Sequence, residues 1–119
     1  MAKLKVRNLT RCVVIADCAD IADTSAKRRT GLLKHTSLEP GEGLWIAPCE
    51  AVHTAGMKFA IDVVFLNKKR KILKVRRSMP KWRISASPLA YSVLELPAGT
   101  CERTGTVAGD ELEFEQYDG

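Results

Sequence analysis

Seven short apolar runs, each cut off by turn-forming or charged residues, dominate this chain: Leu4 to Leu9, Cys12 to Ala16, Leu44 to Ala47, Ile61 to Leu66, Ile72 to Val75, Ser92 to Leu96 and Asp110 to Phe114. Runs of this length suit strands and fall short of an ordinary helix. Their number and punctuation predict a mainly β chain, folded as a β-sandwich or a jelly-roll-like, partly closed barrel. With 119 residues, the chain makes one domain over 1–119, large enough to bury a core without disulfide or metal staples.

Helical character is confined to one short helix near residues 25–34. Thr24 or Ser25 can cap it, and the stretch from Ala26 to Lys34 carries several good helix formers. Gly31 weakens such a helix by about 1 kcal/mol relative to alanine, which points to close packing against a neighbour. Asn67 to Lys71 forms a hairpin tip, and Ser78 to Leu89 a longer loop holding Trp82. Acids alternate with apolar residues from Asp110 to Glu115, as in a half-buried terminal strand.

The four cysteines, Cys12, Cys18, Cys49 and Cys101, include no CxxC pair and no zinc-like spacing, so free thiols in a reducing compartment are expected. Cys12 to Ala16 is too short for a signal-peptide core or a membrane span, and no amphipathic helix suits a membrane surface. These features point to a cytoplasmic protein without a membrane span.

Potentially reactive groups concentrate between Gly43 and Leu66, where Cys49, His53, Met57 and Asp62 lie among apolar residues. Period-two geometry puts Asp62 on one face with Val64 and Leu66, and Glu95 on one face with Val93. A carboxylate so placed must be hydrogen-bonded, paired with a cation or protonated. Two acids facing one cleft could divide acid and base roles in hydrolysis; alternatively, each accepts backbone N–H bonds and pins a loop. Cys49, His53 and Met57 recur every four residues, but Thr54, Ala55 and Gly56 do not favour a helix that would align them. No metal site, cofactor or catalytic residue is therefore assigned.

Nine of the nineteen basic residues fall between Lys68 and Arg83, which contains no acid; the remaining ten cations and fourteen acids leave −4. Lys68, Lys69, Arg70, Lys71, Lys74 and Arg76, together with Trp82, could follow an anionic polymer while the indole stacks on a base. Cations on a hairpin also protect a sheet edge from unwanted pairing.

Beyond these local readings, several motifs occur in order: Ser25-Ala26-Lys27-Arg28-Arg29-Thr30-Gly31-Leu32-Leu33, Gly41-Glu42-Gly43-Leu44, His53-Thr54, Phe59-Ala60-Ile61-Asp62-Val63-Val64-Phe65-Leu66, Leu94-Glu95-Leu96-Pro97-Ala98-Gly99 and Gly109-Asp110. Together they resemble the domain of unknown function 192 family (DUF192), with a family-like core over about residues 24–116. The resemblance implies a jelly-roll type of β-sandwich with a small helical element, and no established activity. It carries Arg29, Gly31, Gly43, Asp62, Glu95, Gly99, Gly109 and Asp110 over as motif residues. Many relatives have Trp-Met in place of His53-Thr54 and a proline in place of Ala60.

The resulting expectation is a small non-enzymatic domain that binds a small molecule or protein partner. Its polar pocket would lie near His53, Asp62 and Glu95, with Arg29 and Thr54 beside them. Arg29 is expected to pair with Asp62 or Glu95. One alternative is a hydrolase acting on a sugar or another polar small molecule through the paired carboxylates. A second is a nucleic-acid or anionic-polymer binder using Lys68 to Arg83.

Overall fold

In the computed structural model, which describes residues 2–33 and 35–119, every apolar run becomes a strand. The order is β1 (Ala2–Asn8), β2 (Val13–Ala22), α1 (Ser25–Thr30), β3 (Glu42–Ile46), β4 (Ala51–His53), β5 (Ile61–Leu66), β6 (Ile72–Met79), β7 (Ile84–Ala86), β8 (Ser92–Pro97), α2 (Thr100–Thr104) and β9 (Leu112–Asp118). Seven strands form one sheet in the order β6-β5-β8-β3-β2-β1-β9, and β4 pairs with β7 as a separate ribbon. All neighbours are antiparallel except β2 and β3, whose parallel pairing requires the crossover that contains α1.

The sheet curls until its two edges meet at one corner. Ile72 N–H donates to Asp110 O (2.8 Å), Gly109 N–H to Ile72 O (2.8 Å) and Leu112 N–H to Arg70 O (2.9 Å), which closes the barrel in part. Asp110 secures the corner: its Oδ2 accepts from Asn8 Nδ2 (3.0 Å), Arg11 Nε (3.0 Å) and Val107 N–H (3.1 Å). The mainly β expectation and its partly closed barrel form are thus what the chain adopts.

β5 and β8, neighbours in the sheet, are buried on both faces, so their sequences are nearly continuous apolar runs rather than alternating ones. One face packs Leu4, Val6, Val64, Leu66, Leu94 and Leu96 into one core cluster. The opposite face packs Leu32, Ile46, Met57, Val63, Phe65 and Val93 into another.

Two helices replace the single one expected near residues 25–34. α1 begins as read, with Thr24 Oγ1 accepting Lys27 N–H (3.2 Å), but it stops at Thr30. Lys34, the end of the expected helix, lies outside the described residues. Gly31 acts as the terminator: it takes φ 48° and donates to Lys27 O (2.9 Å). The close packing expected there is absent, since a Cβ on Gly31 would have its nearest neighbour at 3.9 Å. α2, a single turn between left-handed glycines Gly99 and Gly105, and the three-residue strands β4 and β7 were too short to leave a periodic signal.

Close approach matters instead at Gly43. A Cβ there would sit 2.8 Å from the Glu95 carbonyl oxygen and 3.2 Å from Leu96 Cδ2. Gly43→Ala should push β3 away from β8 and cost about 2 kcal/mol, as overpacking in cores does, measured as a lower urea midpoint with an unchanged slope.

Candidate functional site

The two acids of the central strands part company in the fold. In antiparallel pairing, residues opposite each other share a face, and here Val63 lies opposite Glu95 while Asp62 lies opposite Leu96. Glu95 therefore joins the Val63–Phe65 face, and Asp62 the Val64–Leu66 face. The sheet itself stands between them, so the arrangement of two carboxylates flanking a substrate is not present.

Asp62 is completely buried and fully occupied. Its Oδ1 accepts Ser78 N–H (2.8 Å) and Gly99 N–H (3.3 Å), and its Oδ2 accepts Cys101 N–H (2.8 Å). These bonds tie the end of β6 and the start of α2 to β5. Cys101 packs beside it, its thiol pushed up to about 12 by burial and by the Asp62 charge, which makes it inert at neutral pH. Thr54 is likewise buried and structural: its hydroxyl donates to Pro80 O (2.6 Å) and accepts from Arg83 N–H (2.8 Å). Neither Asp62 nor Thr54 lines the cleft described next, contrary to the expected pocket.

Glu95 has no such company. Only 6% of it is exposed, and among the described residues no donor or cation meets its carboxyl. Burial alone pushes its pKa up from 4.5 to about 7, so near neutrality it is split between the acid and the carboxylate. It opens into a cleft of about 460 Å³ between α1 and β4. Arg28, Arg29, Cys49, His53 and Met57 also line this space, with apolar wall from Leu32, Ile46 and Val52.

Each wall has a local cause. The short α1 gathers Lys27, Arg28 and Arg29 in its last turn, where cations suit the helix dipole. Arg28 is held in place by its guanidinium donating to Asp23 O (3.2 Å) and Ala47 O (3.5 Å). Arg29 is exposed and forms no ion pair among the described residues, so the expected pairing with Asp62 or Glu95 does not occur. His53 ends β4 on the cleft's rim, with its side chain exposed and its backbone opposite Ile84.

Cys49, His53 and Met57 do converge on this cleft, by a path of loop, strand and turn rather than a helix. Burial pushes the Cys49 thiol up, and its Sγ donates to Ala51 O (3.1 Å), which leaves it a weak nucleophile. Among the described residues no three His, Cys, Asp or Glu side chains come together to hold a metal. Arg28, absent from the sequence-based site, could have been suspected from its place beside Arg29 on the same basic helix.

The basic hairpin is partly absorbed into packing. The Arg70 guanidinium stacks 4.3 Å from the Phe114 ring centroid, Lys68 Nζ lies 5.7 Å from that of Tyr91, and Lys74 Nζ donates to Ala86 O (2.9 Å). Lys69, Lys71, Arg76 and Trp82 are exposed.

The family model for DUF192, described as Uncharacterized ACR, matches residues 10–114. A UPF0127 protein of Thermococcus sibiricus is 30% identical over 114 residues, covering 91% of this chain and 73% of that protein. Two crystal structures are similar in fold. One, from Sinorhizobium meliloti 1021 and described as a candidate transcription regulator, has a TM-score of 0.84 at 20% identity, covering 96% of this chain and 94% of the other. The other, a protein of unknown function from Novosphingobium aromaticivorans DSM 12444, has a TM-score of 0.78 at 21% identity, covering 93% and 83%.

Proposed function

We propose that this chain, which belongs to the DUF192 family, is a small non-enzymatic binding protein that holds a polar ligand in the cleft between α1 and β4. The observation that carries this reading is the Glu95 carboxyl, largely buried at the cleft wall and with no donor or cation beside it among the described residues. A buried polar group without a partner is destabilising, and a ligand bearing an ammonium, amide or hydroxyl group would supply the missing donor. Arg29, without a partner of its own among the described residues, offers its guanidinium to an acceptor or anionic group on the same ligand.

Hydrolysis through paired carboxylates has little support beside it, because Glu95 is the only acid lining the cleft among the described residues. The paired-carboxylate arrangement would need a second acid within reach of the same bond, and Asp62 lies behind the sheet.

A thermal-shift series at pH 7 with small amines, amides and polyols tests the reading. A ligand at a hundred times its dissociation constant stabilises the folded state by about 2.7 kcal/mol. The expected result is a saturable rise in melting temperature for at least one of these classes, abolished by Glu95→Gln. A flat response to all three, or a rise that Glu95→Gln leaves intact, would remove Glu95 as the binding group.

A further inference from the structure

A different surface carries its own signal. Trp82, Ile84 and Leu89 are 70%, 80% and 85% exposed, large apolar side chains that water does not favour, and all three fall on one segment around β7. Within β7, Ser85 turns inward while Ile84 and Ala86 turn outward. The backbone beneath them is fixed rather than frayed. Trp82 N–H donates to Thr54 O (3.3 Å), Arg83 N–H to Thr54 Oγ1 (2.8 Å), Ala90 N–H to Ser87 O (2.9 Å) and Tyr91 N–H to Leu66 O (2.8 Å). Trp82 even takes a left-handed φ of 61°, a conformation that costs a tryptophan about 1 kcal/mol or more and that the Thr54 clasp maintains.

Cations surround this wedge. Lys81 and Arg83 alternate with Trp82 and Ile84 in the sequence, and the β5–β6 hairpin reaches the same segment through Lys74 at Ala86 and Lys68 over Tyr91. No Asp or Glu lies anywhere between Val63 and Leu94; the adjoining acid is the exposed Glu50, whose carbonyl accepts Ser87 N–H (2.9 Å).

We infer that this face docks on an anionic lipid bilayer, with Trp82, Ile84 and Leu89 entering the interfacial layer while the flanking lysines and arginines meet lipid phosphates. Rigid apolar tips set among cations match both halves of such a surface, as amphipathic interfacial segments do. A single-stranded nucleic acid uses the charge and could stack on Trp82 and Tyr91, but gains nothing from Ile84 and Leu89, the two most exposed apolar side chains, which have no ring to offer. No helix of the described residues is long and apolar enough to cross a membrane, so the contact is peripheral.

Co-sedimentation of the full chain with phosphatidylcholine vesicles, with and without about one-third phosphatidylglycerol, tests this directly. Anionic vesicles should retain the protein at least about tenfold better than neutral ones, less so at high salt. The triple variant W82S/I84S/L89S should lose about tenfold or more of that partition; because these side chains are exposed, its urea midpoint should match that of the wild type. Equal partition on neutral and anionic vesicles, or partition that the triple variant leaves unchanged, would overturn the inference. So would tighter retention on a single-stranded oligonucleotide than on the vesicles, or a self-association abolished by the same variant, which would reassign the face to nucleic acid or to a second copy.

Discussion

Asp62→Ala should lower the unfolding free energy by about 4 kcal/mol, because three backbone N–H groups, that of Cys101 buried and those of Ser78 and Gly99 partly so, lose their charged acceptor at once. Ser78 lies in β6, while Gly99 caps α2 and Cys101 lies in its first turn, so the loss loosens the end of β6 and the start of α2 together. Asp62→Asn separates charge from geometry. Its amide oxygen can accept from Ser78 and Gly99, while its NH2 group faces the Cys101 N–H, donor against donor, so about half the loss or more should remain. Urea unfolding of both variants measures this. A change below about 1 kcal/mol for Asp62→Ala would mean that these bonds do not pin the loops.

Glu95→Gln should have the opposite sign, and only above a certain pH. The folded-state pKa of about 7 lies above the ordinary 4.5, so the folded chain holds its proton longer than the unfolded one. Below pH 4.5 both states are protonated and Glu95 imposes no penalty. As pH rises from 4.5 through 7, stability is lost, and the loss is complete above 7 at about 3 kcal/mol. Glutamine carries no charge, so the variant should be more stable than the parent by about 3 kcal/mol at pH 8 and nearly equal to it at pH 4. Urea midpoints at the two pH values are the measurement, and a gain of the same size at both would point to packing instead of ionisation. A side chain that lowers stability at neutral pH, placed on the wall of a cleft, is the trade expected of a binding group.

Much of the fold was legible because burial writes itself into local sequence. Ile61 to Leu66 has the same bounds as a run and as a strand, since a strand covered on both faces is apolar at every position that needs no hydrogen-bonding group. The Thr24 cap and the Asn67 to Lys71 hairpin were equally readable, because each depends on contacts within a few residues. β4 and β7 were not, as each buries a single side chain, Val52 or Ser85, and exists only because the other is there.

The site was legible in part for a related reason. Pattern within each strand put Asp62 with Val64 and Glu95 with Val93, and both placements hold. Which face of β5 continues into which face of β8 depends on register between the strands, a property of neither sequence alone. The single-residue offset of Asp62 and Glu95 across that register sends one carboxyl to three backbone donors and the other to an open cleft. Arg29 shows the same limit: its charge suggested an ion pair, but α1 stops at Gly31 and leaves the guanidinium at the cleft mouth.

The state of the Glu95 carboxyl decides the account most directly. A carbon-13 NMR titration of the glutamate side chains, with the Glu95 signal identified by its loss in Glu95→Gln, should give a midpoint near 7 for the ligand-free protein. A midpoint near the ordinary 4.5 would mean that water or a cation already satisfies the group, and the unpartnered acid on which the binding cleft rests would not exist.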